Sequence, residues 1–230
     1  MVYSIIKKSQ LEGASWIDAE YFQEKYKKLI KKIKLNSAEK LGDLAVIKKG
    51  FEPGAEEYKE EGKLFIRVSS LSANGIESSE QKYLSDKLYE ELKNNYEPKV
   101  GEILLTKDAT PGIAYAVKEP VQGIMSSGIL RLKISPSASS GQGNIDAEYL
   151  TLCLNSIIGK MQAERDAGGS VIAHWKPEQI KNIIIPILPK TTQQKIADLV
   201  RQSHEARKKA KELIEEAKKK VEKMIEEGEK

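Results

Sequence analysis

The sequence predicts a mixed α+β body that carries a long, coiled-coil-forming C-terminal helix, on three observations. Residues 191–227 hold no Gly or Pro and are densely charged. Short apolar runs bounded by Gly, Pro, Ser or Asn recur between 44 and 134, as strands do. Two further stretches repeat their apolar residues at helical spacing. The division expected is a globular body over residues 1–190 and a spacer and dimerisation helix over 191–230.

Residues 18–34 put Phe22, Tyr26, Leu29, Ile30 and Ile33 on one helical face, with Lys25, Lys27, Lys28, Lys31 and Lys32 mostly elsewhere. β-like runs follow at 44–47, 64–68, 103–106, 113–117 and 129–134, enough for a mixed or antiparallel sheet. Residues 135–144 are rich in Ser and Gly and read as a surface loop. Asp146 is placed to cap a helix running to about Asp166 and ended by Gly168 and Gly169. Pro177 suits the first position of a short helix through Lys181, before a last β-like run at 183–188 stopped by Pro186 and Pro189. Thr191 with Gln194 forms a capping-box pattern that opens the long helix. At 1.5 Å per residue that helix spans roughly 55 Å. Its apolar residues fit a heptad seam, with Ile196, Ser203, Ala210, Ala217 and Met224 at one core position and Leu199, Ala206 and Leu213 at the other. A seam with so many small residues lets a partner helix approach closely.

Composition removes several classes of function. Lys+Arg 38 against Asp+Glu 34 leaves a net charge of +4, too mild to establish a polyanion partner by itself. The single Cys153 excludes a disulfide framework and a four-Cys zinc site, and its place in an apolar helical pattern makes it a core residue. The histidines are His174 and His204 alone, so no His/Cys metal constellation can be assembled. No phosphate-binding G-x-x-x-x-G-K-[ST] loop, dinucleotide G-x-G-x-x-G turn, G-x-S-x-G elbow or Asn/Asp-Pro-Pro-aromatic loop is present. The triplet Glu91-Leu92-Lys93 has a nuclease-like form, but a chain so rich in Glu and Lys produces it by chance. The expectation is a non-catalytic chain without its own cofactor or metal. With no signal peptide and no run of about 18 apolar residues, it is expected to be soluble and cytoplasmic, with no membrane partner.

Several segments, in order, resemble the specificity subunits of type I restriction-modification systems. Gly101-Glu102-Ile103-Leu104-Leu105-Thr106, followed by Lys107 to Gly112, is similar to that family's Gly-acid-Ile-Leu strand and its Thr- and Gly-containing turn. Ile185-Pro186-Ile187-Leu188-Pro189 leading to Gln193-Gln194-Lys195-Ile196 resembles the proline-punctuated strand and Gln-containing start of the family's spacer helix. Gly169-Ser170, the stretch from Trp175 to Ile183, Ile17 to Phe22, and Lys48-Lys49-Gly50 fall in the family's order as well. Thr191-Thr192 stand where a Glu pair is usual, which removes negative charge from the helix start. The usual subunit has two recognition domains and two spacer helices, whereas this sequence has one of each and resembles half a subunit. The resemblance implies a target-recognition domain for double-stranded DNA. It implies methyltransferase (modification) subunits that carry S-adenosylmethionine and a restriction subunit that uses Mg-ATP, while the helix seam is expected to pair with that of a second copy in a homodimer.

Base reading needs donors and acceptors on exposed loops, with Lys and Arg on phosphates to set the register. Lys48, Lys49, Lys59 and Lys63 flank the first strand and its loop and are candidate phosphate contacts, against the plainer reading of a solvated surface. Arg67, Ser69 and Ser70 end a β-run and either face the major groove or close a turn. Thr106, Lys107 and Thr110 lie on the family-like turn, where Asp108 reads as structural. Ser126 and Ser127 interrupt a β-run, as a DNA-facing bulge or a polar face would. Ser170 and His174 follow or join the Gly-rich turn and are candidates for DNA, while Trp175 reads as core. Tyr21, Phe22 and Tyr26 read as core packing, with docking of another subunit as the alternative. The alternative to a DNA reader is a non-catalytic coiled-coil adaptor whose head binds protein.

Overall fold

Strand β10 (Ile129–Ile134) lies inside the four-stranded sheet with its first four residues buried, Leu130 and Leu132 on one face and Ile129 and Arg131 on the other. A computed structural model of the chain describes residues 5–6, 19, 21–35, 37–77, 81–136, 138, 145–167 and 174–228. β10 pairs antiparallel with β2 (Ala45–Lys49) on one side and with β7 (Ile103–Thr106) on the other, and β7 pairs with β8 (Ala114–Ala116). Side chains alternate across a strand. Leu130 and Leu132, with Ile103 and Leu105 of β7, therefore enter one core, while Ile129 and Leu104 enter a second on the opposite face.

The first core is closed by helices. It holds Leu41 and Leu44 of the short α2 (Leu41–Leu44), Tyr149, Leu150, Cys153 and Leu154 of α4 (Ala147–Asn155), Ala163 of α5 (Ile157–Ala167) and Ile180 of α6 (Pro177–Lys181). Helix α1 (Glu24–Ile33) packs outside them and buries Tyr26 and Ile33. The second core lies between the four-stranded sheet and a smaller one ordered β6 (Lys82–Leu84), β3 (Lys63–Ile66), β9 (Gly123–Met125), which contributes Ile66 and Met125. The far side of that small sheet carries Phe65, Leu84 and Ile124 and is covered by α3 (Asp86–Tyr96) through Tyr89, Leu88, Leu92 and Tyr96. The apolar pattern of the sequence predicts no element between 69 and 102. Ser85, whose hydroxyl accepts from Leu88 N at 3.3 Å, is an N-cap signal for α3 that the charged composition of this stretch obscures. A two-stranded hairpin, β4 (Leu71–Ser72) with β5 (Gly75–Ile76), and a ribbon of β1 (Ala38–Lys40) with β11 (Ile184–Pro186) complete the body. The Glu91-Leu92-Lys93 triplet is part of α3 and turns Leu92 into the core.

Asp146 caps α4 as expected, accepting from Glu148 N at 2.8 Å and Tyr149 N at 3.2 Å. The single helix expected from there to Asp166 is instead two. Ser156 interrupts it, its hydroxyl donating to Cys153 O at 2.7 Å and accepting from Ile158 N at 3.1 Å, so one residue ends α4 and caps α5. Asn155 is thereby aimed at Ala114 and meets both its N–H and its carbonyl. Gly159 is required just after the break, because a Cβ there would lie 2.1 Å from Leu154 O. Cys153 is buried, and that burial, outweighing the influence of the neighbouring Tyr149 hydroxyl, pushes its thiol up to about 11.

The long helix α7 runs from Lys190 to Glu227. It begins one residue before the expected Thr191, with Pro189 at the N-cap, and the Thr191–Gln194 capping box does not form. Thr192 N and Gln193 N both donate to Pro189 O, at 2.9 and 3.0 Å, so the backbone itself closes the first turn. Gln193 is buried and takes the structural role: its amide donates to Leu188 O at 2.8 Å, and its oxygen accepts from Asp146 N at 3.1 Å. Arg201 reaches the free oxygen of Asp146 at 2.8 Å. Further along, Lys208 meets Glu119 at 3.0 Å and Lys211 meets Glu77, after which no body residue covers the helix among those described.

Replacing Gln193 by Ala leaves Asp146 N and Leu188 O without partners. The expected loss is about 2–4 kcal/mol of stability, read from the denaturant midpoint. A midpoint unchanged from the parent would show that the helix is held to the body by something else.

Candidate nucleic-acid interface

Turns at the ends of β3, β7 and β9 and the loop after β2 converge on one cleft of about 370 Å³. It is lined by Glu52, Tyr58, Phe65, Arg67, Val68, Ser69, Asp108, Ser126, Ser127 and Gly128. Backbone pairing holds these turns in place. Ser126 N donates to Ile66 O at 2.8 Å, Ile129 N to Ser126 O at 3.0 Å, and Phe51 N to Met125 O at 2.8 Å. Gly50 must be glycine for this approach, since a Cβ there would lie 2.1 Å from Ser126 O.

The turn after β7 forms one wall. Thr106 is fully buried, and its hydroxyl donates to Thr110 O and accepts from Ile113 N at 3.0 Å. Ala109, at the tip, has φ 58, the one non-glycine at positive φ among the described residues. Lys107 N donates to Gly128 O at 2.9 Å, and Trp175 N donates to Lys107 O at 2.8 Å, which brings His174 alongside Asp108. Asp108 then pairs with Lys107 Nζ through one oxygen and with His174 Nδ1 through the other at 2.8 Å. Burial pushes the Asp108 carboxyl up, but the hydrogen bonds from Lys107 and His174 outweigh it and hold it below the usual carboxylate range.

Of the residues proposed from the sequence, Arg67, Ser69, Ser126 and Ser127 line the cleft, Ser127 being largely buried there, while Lys107 and His174 are joined to it through Asp108. Thr110 is exposed on the same turn. Ser70 and Thr106 are corrected: both are buried, so they shape turns and present nothing to a ligand. Ser170 lies outside the described residues. Lys48 and Lys49 are exposed on β2, but strand alternation sends them to opposite faces, so they do not form one patch. Lys59 donates to Glu56 O at 3.1 Å, and Lys63 is engaged by Gln122 at 2.9 Å beside the Tyr89 ring. Trp175 is core, as expected. Glu52 and Tyr58 join the cleft without a sequence signal, because nothing in that loop marks which side chains it folds inward. Asp108, expected to be structural, is the residue that binds two of the candidates together.

On the long helix, Leu199, Ser203, Ala206, Ala210, Leu213, Ala217 and Met224 are all exposed, Leu199 at 67% and Met224 at 63%. Ile196 differs: it is half-buried and packs on the edge of the first core. At about 100° per residue, the exposed apolar stripe lies roughly half a turn from the side that carries Gln193, Ala197, Arg201 and Lys208 toward the body. The body thus packs on Ile196 and shares a groove with Leu199 and Ser203, and leaves the seam open from Ala206 onward.

The close approach at Gly50 can be tested directly. Gly50→Ala is expected to lower stability by about 1–3 kcal/mol, whereas Val46→Ala, at an exposed position of the strand just before it, should stay within about 0.5 kcal/mol. Equal effects of the two on the denaturant midpoint would show that the loop does not pack against Ser126.

A comparison with curated proteins finds no match. Among solved structures, the chain is similar to the S subunit of a type I restriction-modification system from M. genitalium, with TM-score 0.57 and 16% identity over 80% of this chain and 42% of that one. It is similar to the type IIG restriction endonuclease BpuSI, with TM-score 0.57 and 11% identity over 85% and 30%. It also matches a structure described for complex assembly and conformational transition of the type I R-M system, with TM-score 0.50 and 18% identity over 82% and 44%. These likenesses show the fold, and the chain spans less than half the length of each. Residues 36–219 match the family described as the type I restriction modification DNA specificity domain, a stretch that runs from β1 into the open part of α7. The chain belongs to the type I restriction modification DNA specificity domain family.

Proposed function

We propose that this chain reads one half of a split duplex DNA target and that α7 joins two copies antiparallel, so that the pair does what the usual subunit does with two recognition domains. The observation that carries the reading is the joint presence of a family-matched body with a polar cleft of turns and an apolar stripe that the body leaves uncovered. Methyl transfer and cleavage belong, on this reading, to separate methyltransferase and restriction subunits, which supply S-adenosylmethionine and Mg-ATP. This chain positions them. Among the described residues no group of three His, Cys, Asp or Glu is placed to hold a metal, and no helix is long and apolar enough to cross a membrane.

Two-fold symmetry makes the half-sites inverted repeats. A helix of roughly 55 Å restricts the gap between them to about one to one and a half turns of duplex, at about 34 Å per turn. A protein-binding adaptor is the competing reading, and selection from a random duplex pool separates the two. The expected outcome is a palindromic, split sequence; an absence of any selected sequence favours the adaptor.

DNA affinity should fall steeply with salt, because each Lys-phosphate contact releases counterions. The strand geometry modifies the size of one expected effect. Replacing Lys48 and Lys49 together, taken from sequence alone, flattens the log-log salt slope by up to about 2, but with the two side chains on opposite faces the expected change is about 1. An unchanged slope would place β2 away from DNA. Introducing Asp at both Ala210 and Leu213 puts charge into the seam and should yield monomers that hold single half-sites weakly, since the linked second binding event is lost. A parent protein that sediments as a monomer at tens of micromolar, or that selects an asymmetric split sequence, would refute the homodimer while leaving DNA reading intact.

A further inference from the structure

His174 has an exposed ring with a fixed back. Its side chain is 65% exposed, yet Nδ1 lies 2.8 Å from Asp108 Oδ1, and the other Asp108 oxygen is held by Lys107. The Asp108 carboxyl is kept below the usual carboxylate range, as described, so it stands as a carboxylate at neutral pH. A carboxylate only accepts hydrogen bonds, so Nδ1 must carry the hydrogen. In the neutral ring Nε2 is then a bare acceptor, and it is the edge turned away from Asp108.

The backbone under this pair is equally fixed. Trp175 is anchored in the first core and its N–H is bonded to Lys107 O, which ties the chain on the C-terminal side of His174 to the turn that carries Asp108. Gly128 leaves room beside that turn, since a Cβ there would meet Val68 Cγ2 at 2.7 Å and come within 3.6 Å of Asp108 Cβ. The left-handed Ala109 next to Asp108 is a conformation that costs free energy and persists only where its surroundings enforce it.

From this arrangement we infer that Asp108 is a positioning residue that locks His174 with Nε2 outward as an acceptor, and that this acceptor selects a base with an exocyclic amine, adenine N6 or cytosine N4, in the major groove. The inference rests on the DNA-reading function proposed above and names one contact within it. The other partners at hand do not match a neutral Nε2. Phosphate oxygens, guanine N7 and O6, and thymine O4 are all acceptors, and an acceptor facing an acceptor gains nothing. Arg67 lines the cleft beside Asp108 and carries only donors.

Because the chain has only two histidines, the tautomer can be read in the free protein. With ¹⁵N-labelled histidine at about pH 8, above the ordinary imidazole range, and His204→Ala used for assignment, His174 should appear as the Nδ1–H form. Asp108→Ala should abolish that preference, and Asp108→Asn, which keeps a side-chain oxygen able to accept, should retain it. A wild-type ring in the Nε2–H form overturns the inference. In selection from a random duplex pool, His174→Ala should lose roughly 5- to 10-fold of the preference at one amine-bearing position and leave the other positions as they were. Asp108→Ala should lose it at the same position, with Asp108→Asn restoring part. His174 is exposed, so its variant keeps the fold and decides the matter even where Asp108→Ala does not fold. A wild type that selects no sequence defeats the DNA-reading function. A wild type that selects one which His174→Ala leaves unchanged everywhere defeats this inference alone.

Discussion

The arrangement of body and long helix depends on the way one short strand has its backbone groups satisfied by side chains from the helices above it. Among the described residues β11 pairs only with β1, on one side. Gln162 serves the other, accepting from Ile184 N at 2.8 Å and donating to Ile184 O at 3.0 Å, as a neighbouring strand would. Tyr149 donates to Pro186 O at 2.9 Å, and two residues further on Gln193 takes Leu188 O. Buried backbone groups left unmatched here would each cost on the order of 1–3 kcal/mol. Two amides and a phenol therefore fix where the chain leaves the body and, through Pro189, the direction in which α7 starts.

The cleft obeys a different rule. Its lining comes from chain ends of strands whose registers are set by the two cores, so the scaffold positions the turns while the turns carry the polar groups. Gly50 and Gly128 permit the backbones to approach, and Asp108 uses both oxygens to tie Lys107 and His174 to one wall. Lys107 is consequently an internal partner of the site, with its charge already matched, whereas the Nε2 edge of His174 faces outward.

Much of this is legible in the periodicity of the amino-acid sequence. β7 and β10 fall on the residues whose apolar runs mark them, α6 begins at Pro177, and Asp146 caps α4. The features that do not show have a common cause: short-range pattern does not reveal long-range hydrogen bonding. The break at Ser156 exists because Asn155 is needed against Ala114, forty-one residues away in the chain. The start of α7 is governed by Gln193 meeting Asp146 rather than by Thr191. In the site, Arg67, Ser69 and Ser126 stand out as polar interruptions of apolar runs, while Ser70, an identical signal one residue from Ser69, is interior, and Ser127 is largely so. Residue type marks a turn; only packing decides which of its side chains points outward.

The three ion pairs that run from α7 to the body, Arg201 with Asp146, Lys208 with Glu119 and Lys211 with Glu77, form a row along the base of a lever. Each is solvent-accessible and individually weak. Their leverage comes from geometry. On an arm of roughly 55 Å, a swing of about 10° at the base displaces the tip by about 10 Å, close to three base-pair steps of about 3.4 Å. Surface charge pairs are screened as ionic strength rises, so this row sets a stiffness that salt softens. Two bodies joined through such arms would tolerate a wider range of separations at high salt than at low salt, with no residue of the cleft altered.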